Sequence, residues 1–451
     1  MKEKEIYDVI GIGFGPSNLS FAVAIDELSE GGTPVSALFL EQKPEFQWHP
    51  EMLLPGAEMQ ISFIKDLVTL RNPTSQFSFL NYLKQCGRLP AFANLRTFYP
   101  SRVEFNDYFR WVATSFDGSV RYGHRVVSIV PVGDSPYKTL QIRTRDVETG
   151  VANCFFARNV VVASGSRPSF PDAIGVKQSS DLVWHSSEHL ARIRRFEALP
   201  DKTYHFLVVG RGQSAVEIAR DLYNRFPRAL VTLSFRGFGL KPADDSEFVN
   251  EIFDASGVDF LMGVSAEVRQ KVLSEHRDTN YSVADADLIR ELYKARYADS
   301  VTGSQRLEIR NLSEVTGVAE CGPKVDVSLL GLCNGRKDAM QVDAVILATG
   351  YTSRRLPDML DSLSRHMCHE DGFPIVDRDY RIRTEAELDV GIYLQGTNER
   401  THGLSDTLLS VLPVRSAEIL TSIQRSIKAR GLPGFSGAST PTPQPRMEMT
   451  S

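Results

Sequence analysis

"FLVVGRGQSAVEIARDL", residues 206–222, is an apolar run that breaks into a glycine turn and resumes with helical spacing. A strand, a G-x-G-x-x-[GA] turn and a helix together make a cradle for a dinucleotide pyrophosphate. Glycine permits the tight turn and the close approach of backbone N–H groups, and the helix N-terminus faces the anion. A second such stretch stands near the start, "DVIGIGFGPSNLSFAVAI" at 8–25. One glycine turn alone is weak evidence. Two, each between strand and helix patterns, predict two separate nucleotide sites.

The flanking patterns complete two βαβ units: strand 5–11, helix 17–29 and strand 35–41, then strand 205–209, helix 213–225 and strand 229–235. In the first, Gly11 is expected to permit the tight turn, Gly13 to admit the pyrophosphate, and Gly15 to complete the motif. The next strand ends in Glu41, a carboxylate suited to ribose hydroxyls; FAD or NAD would both fit there. In the second unit Gly210, Gly212 and Ala215 form the turn, and the next strand ends "TLSFRG" with Arg236 and no acid. A cation there favours a 2′-phosphate, hence NADP. The pairing predicts FAD in the first site and NADPH in the second, with hydride passing between them. "A-[ST]-G" closes two further strands, at 163–165 and 348–350.

The expected fold is α/β: two Rossmann-like dinucleotide-binding domains with a smaller, partly helical substrate-binding region. Residues 1–200 read as the first part of the FAD-binding domain and 201–340 as the NADPH-binding domain, in which 240–300 serves the substrate site. Residues 341–430 read as the second part of the FAD-binding domain. Residues 431–451, rich in Pro, Ser and Thr, read as a disordered tail. At 451 residues the chain exceeds one ordinary core. A net charge of −5 supplies no basic face for nucleic acid. No apolar run reaches the roughly 20 residues of a membrane span, and the start goes directly into a strand, so the expected location is cytoplasmic.

Cys86, Cys154, Cys321, Cys333 and Cys368 form no C-x-x-C, which sets aside dithiol reductases. "RHMCHE" at 365–370 has no matching second half for a metal, and none is expected. Baeyer–Villiger-type monooxygenases carry F-x-G-x-x-x-H between their nucleotide units. The corresponding "SSDLVWHSSEHL" (179–190) keeps a His and lacks F-x-G.

The chain resembles the microbial N-hydroxylating flavoprotein monooxygenases, and among them the L-ornithine N5-monooxygenases of siderophore biosynthesis. The stretches that carry the resemblance are "IGFGPSNL" (12–19), "FQWHPEM" (46–52), "MQISFIKDLVTLRNPTSQFSFLNYL" (59–83), "YPSRVEFNDYFRW" (99–111), "GRGQSAVE" (210–217), "LKPADDSEFVNEIF" (240–253), "DTNYSVADADLI" (278–289) and "THGLSDTLLSVLPVR" (401–415). It implies flavin contacts at Glu41, Trp48, His49, Gln60, Val126, Thr407, Leu408 and Leu409. It implies NADPH contacts at Arg211, Gln213, Ser214, Arg236 and Asn280, with Arg102 a second phosphate-side cation. Lys65 would hold the amino-acid carboxylate, and Asn250, Asn280 and Ser410 would line the pocket. Arg211 departs from the family, which often has glycine there.

The resemblance further implies that O2 adds to reduced flavin at C4a and that the hydroperoxide oxidises the amine of L-ornithine. L-lysine or a diamine is the alternative substrate, and a reductase or oxidase without amine chemistry the alternative activity. The resemblance also admits a homo-oligomer. Each residue has a plainer reading: Lys65 solvated, Asn250 and Asn280 as caps or turns, and Trp48 as core.

Overall fold

Strand Ile6–Ile12 begins exposed and becomes fully buried, as a run of apolar residues in the middle of a parallel sheet must. It pairs in parallel with Ala37–Leu40 on one side and Ala152–Val162 on the other. The long strand Ala152–Val162 then divides its free edge. Its first half runs antiparallel to Thr139–Asp146, and its second half runs parallel to Gly391–Leu394. With Val120–Arg121 and His124–Val132 these make a seven-stranded sheet. Helix Pro16–Ser29, entered through proline at its first position, covers one face with Leu412–Ala429 and Arg102–Thr114.

The computed structural model describes residues 5–29, 33–352 and 356–431. The tail expected at 431–451 lies outside these, apart from Gly431. Among the described residues no helix is long and apolar enough to cross a membrane.

A second sheet is parallel throughout, in the order Leu307–Arg310, Leu230–Ser234, His205–Val209, Ala344–Leu347, Val183–His185. Two of its strands lie outside the expected 201–340. Val183–His185 precedes residue 201 and Ala344–Leu347 follows residue 340, yet both pair into this sheet. Their apolar runs extend a parallel core that three strands could not close. An antiparallel sheet of Ser313–Cys321, Lys324–Gly331 and Lys337–Val342 packs into the same core. The chain crosses between the halves twice, and the two crossings pair as strands Arg167–Pro168 and Tyr351–Thr352. Buried His185 steadies this crossing, with Nε2 at 2.9 Å from the Gly350 carbonyl and its ring 5.0 Å from Tyr351.

Candidate functional site

The two glycine turns are built alike. The Gly13 N–H donates to Leu40 O at 2.8 Å and the Gly210 N–H to Ser234 O at 2.9 Å; Ala163 N–H reaches Ile12 O and Ala348 N–H reaches Val209 O, both at 2.9 Å. Gly13 (φ 82°) and Gly210 (φ 141°) therefore hold the same position, where other residues are strained. A Cβ on Gly13 would lie 2.6 Å from Ala163 O, and one on Gly210 would collide with Ala348 O. The Ala of each A-[ST]-G strand end is thus the surface against which a glycine turn folds.

This equivalence corrects the first motif. Gly11 is not the turn glycine: it lies inside strand Ile6–Ile12, where a Cβ would meet the Phe39 ring, 2.7 Å from Cε1. The motif is Gly13-x-Gly15-x-x-Asn18, with Asn18 where the second turn has Ala215. Among the described residues, chain neighbours aside, no atom lies within 4 Å of where a Cβ on Gly15 would stand, so the turn is open there. Buried Asn18 donates to Gly13 O at 2.7 Å and accepts from Gln395 Nε2 at 3.1 Å. Neither residue was singled out by the glycine pattern.

Glu41 is buried at the end of the second strand. Its Oε2 accepts the Phe14 N–H at 2.7 Å and its Oε1 the Lys43 N–H at 2.9 Å, which leaves further lone pairs for a ribose. Val126 sits on the neighbouring strand His124–Val132, whose first N–H donates to Glu41 O at 2.8 Å. Trp48 packs edge-on against Phe109 at 5.2 Å, and its backbone N–H donates to Asn106 Oδ1 at 3.1 Å. His49 is left-handed at φ 45°. The residue is exposed, and desolvation by the protein around it, then Arg102 and Lys43, lower its pKa to about 4.

The C-terminal segment is fixed by a buried ion pair that sequence reasoning passed over within "LSDTLLSVLPVR". Arg415 Nη1 donates to Asp406 Oδ1 at 3.0 Å and Nη2 to Ser17 Oγ at 3.1 Å, while Asn398 N–H reaches Asp406 Oδ2 at 2.6 Å. Between the two charges run Thr407, Leu408, Leu409 and buried Ser410. They are held beside the N-terminus of helix Pro16–Ser29.

Lys65 stands on a loop anchored from within. Buried Asp66 accepts Val68 N–H (2.9 Å), Thr69 N–H (2.6 Å) and Phe79 N–H (2.8 Å), and Phe63 stacks on Phe98 at 5.8 Å. Burial raises the Asp66 pKa against the pull of these donors. Lys65 itself is half-buried and, among the described residues, has no ion pair or side-chain hydrogen bond.

Residues 241–250 and 278–285 run side by side: Ala243 N–H donates to Ala284 O at 3.1 Å and Ala284 N–H to Lys241 O at 3.1 Å. Asn250 donates Nδ2–H to Asp245 O at 2.7 Å, so one end of its amide serves its own turn. The Asn280 amide has no side-chain partner among the described residues. Its neighbour Tyr281 donates to Glu399, which ties this loop to the C-terminal segment.

Gln60 Nε2 reaches Asp285 Oδ1 at 3.1 Å, and Gln213 Nε2 reaches Asp285 Oδ2 at 2.7 Å. The carriers of Lys65, Asn280 and the second glycine turn are therefore cross-linked. Ser214 follows Gln213 in the first turn of the helix that Gly212 caps. Arg236 is largely exposed, 3.7 Å from Glu314. Arg102, expected at a phosphate, is already engaged by the protein. Its guanidinium is held by Glu217 at 2.8 and 2.9 Å and by Met52 O at 3.1 Å, so its charge is already matched.

The open cradle at Gly15 with Glu41 at its edge, and the second turn, whose following strand leads into Arg236 where the first has an acid, fit FAD and NADPH respectively. The description of L-lysine 6-monooxygenase/L-ornithine 5-monooxygenase matches residues 5–353. An L-ornithine N(5)-oxygenase of Arthrobotrys oligospora is 43% identical over 435 residues, 93% of this chain and 88% of its own. The ornithine N-hydroxylase of Kutzneria sp. 744, in a structure described with reduced FAD, NADP+ and L-orn, superposes with a TM-score of 0.89 at 39% identity, covering 93% of this chain and 99% of its own. The L-lysine 6-monooxygenase of Pseudomonas syringae superposes at 0.82 with 34% identity, covering 93% and 100%. The chain belongs to the L-lysine 6-monooxygenase/L-ornithine 5-monooxygenase family.

Proposed function

We propose that this protein N-hydroxylates the side-chain amine of L-ornithine with O2 and NADPH, giving N5-hydroxy-L-ornithine for a hydroxamate siderophore or related product. The observation that carries the substrate reading is Lys65. It is a cation without a partner among the described residues, on a loop rigidly held by Asp66 and cross-linked to the second glycine turn. An α-carboxylate is the ligand such a group lacks. A diamine has none to offer, which ranks it below the amino acids. Ornithine and lysine differ by one methylene, worth about 1–3 kcal/mol in an apolar pocket. The greater likeness to the ornithine enzyme favours ornithine.

FAD would lie along Gly13, Gly15 and Glu41 and under Thr407–Leu409, and NADPH along Gly210–Ser214 and Arg236. The chemistry these groups supply when bound is hydride transfer and activation of O2 for insertion at nitrogen. The chain must do the rest. Lys65 fixes the carboxylate end. The other end must be a neutral amine, yet an alkylammonium of pKa about 10.4 is roughly one part in a thousand neutral near pH 7.5. Half-neutral amine requires on the order of 4 kcal/mol of differential stabilisation, which desolvation beside uncharged amides supplies and a carboxylate would oppose. Asn250 and Asn280 are such amides. Among the acids on these segments, Asp285 faces Gln60 and Gln213, Asp278 faces Lys241 and Asp244 faces Ser246. No side chain need act as general acid or base.

The test is hydroxylamine formation by FAD-loaded protein with NADPH and air, on L-ornithine, L-lysine and putrescine in parallel, with peroxide assayed alongside. Hydroxylated ornithine well above the others is expected. Peroxide without hydroxylated amine would leave an oxidase. The reading places the reaction in the cytoplasm.

A further inference from the structure

The second glycine turn carries a feature that the pyrophosphate does not require. Arg211, between Gly210 and Gly212, lays its guanidinium across Gly237, the residue after Arg236. A Cβ on Gly237 would stand 3.2 Å from Arg211 Cζ and 3.4 Å from Cδ, and would collide with Nη1. The Gly237 carbonyl accepts the Leu312 N–H at 2.9 Å and the Phe238 carbonyl accepts the Asn311 amide, so a Cβ at 237 would be met by displacement of the flexible Arg211 guanidinium. The absent side chain at 237 is thus the slot that Arg211 occupies.

Arg211 therefore ends beside the residue that follows Arg236, and little there neutralises either charge. Arg211 has no ion pair or side-chain hydrogen bond among the described residues. Arg236 has only Glu314 at 3.7 Å, an exposed pair of little strength. The nearby Arg310 is, by contrast, matched by both Glu308 and Asp338 at 2.8 Å. A phosphate monoester dianion is the group that two planar guanidinium forks match best.

We propose that Arg211 and Arg236 together form the adenosine 2′-phosphate clamp, with Gly237 as the residue that makes room for it. Arg211 is then a specificity determinant for NADPH over NADH. The proposal rests on the reading of this turn as the NADPH site.

Titration of FAD-loaded protein with 2′,5′-ADP and with 5′-AMP by calorimetry separates the phosphate from the adenosine. Arg211→Gly is expected to weaken 2′,5′-ADP by about tenfold or more and 5′-AMP by less than about twofold, as loss of a charge-assisted fork implies. Gly237→Ala should do the same with Arg211 intact, because a methyl fills the slot; retained flavin absorbance shows that each variant is folded. NADPH over NADH preference in kcat/KM should fall in step. Equal weakening of both ligands in Arg211→Gly would overturn the proposal and assign Arg211 to the adenosine or the turn. An unchanged Gly237→Ala would overturn the slot. Wild-type protein that binds the two ligands equally would overturn the NADPH reading itself.

Discussion

Arg102 and Glu217 meet across the two halves through N–H···O contacts of 2.8 and 2.9 Å, with side chains 13% and 1% exposed. One sits on helix Arg102–Thr114 of the flavin half and the other on helix Gln213–Arg225 of the nucleotide half. Glu217 also accepts from Gln213 at 2.8 Å, so the pair bears on the second turn. Breaking a buried pair from one side leaves a charge without a partner, at about 3–5 kcal/mol. Arg102→Ala should lower stability to urea by about that amount. Arg102→Ala with Glu217→Gln should recover part of it, and a double-mutant cycle on unfolding checks this. A loss below about 1 kcal/mol would show the pair to be solvated.

Lys65→Ala should raise the KM for ornithine strongly and leave NADPH binding little changed, because the carboxylate loses its only assigned cation. The Asp66 anchor stays in place, so the loop keeps its shape. Steady-state kinetics with each ligand varied decides it. An unchanged ornithine KM would remove Lys65 from the pocket.

Gly13→Ala should abolish FAD retention, since the methyl meets Ala163 O at a left-handed φ. Gly11→Ala should act differently, through packing: it presses on Phe39 inside the core and lowers thermal stability. Flavin absorbance after desalting, beside Tm, separates the two. Equal flavin loss at equal Tm would undo the assignment of Gly13 as the turn.

His402 is buried 4.4 Å from the Tyr380 ring, and desolvation foremost lowers its pKa to about 4. An unfolded histidine titrates near 6.5. Above that both states are neutral and nothing is lost. As pH falls from about 6.5 toward 4 the unfolded chain takes up a proton that the native state refuses. Stability then drops by up to about 1.4 kcal/mol per pH unit for this one group. Urea titrations at pH 7.5, 6 and 5 should show a shallower decline in His402→Gln than in wild type. Identical slopes would exclude this histidine.

Both βαβ units were legible because strand, turn and helix are local, and the periodicity of 206–222 states them directly. The position of Gly11 was misread for a physical reason: G-x-G-x-G offers two overlapping registers, and only the hydrogen bond from Gly13 to Leu40 O chooses between them. The ion pair of Arg102 was not legible, because a cation near a phosphate turn carries no sequence mark of the acid that pairs with it. Glu217 is 115 residues away. Asn18 and Gln395 lie 377 residues apart, and Arg415 reaches Ser17 across 398. The reach of the second sheet to 183–185 and 344–347 likewise depends on pairing between distant strands.

The nucleotide half is inserted between strand Ala152–Val162 and strand Gly391–Leu394, which pair directly with each other. On the ribosome this imposes an order. The inserted sheet is complete once Ala344–Leu347 has emerged, whereas the first sheet waits for its seventh strand, and Ser17 waits for Arg415. The first turn to be synthesised is therefore the last to be enclosed, and a chain that stops before Arg415 carries a finished electron-donor module beside an unfinished flavin seat.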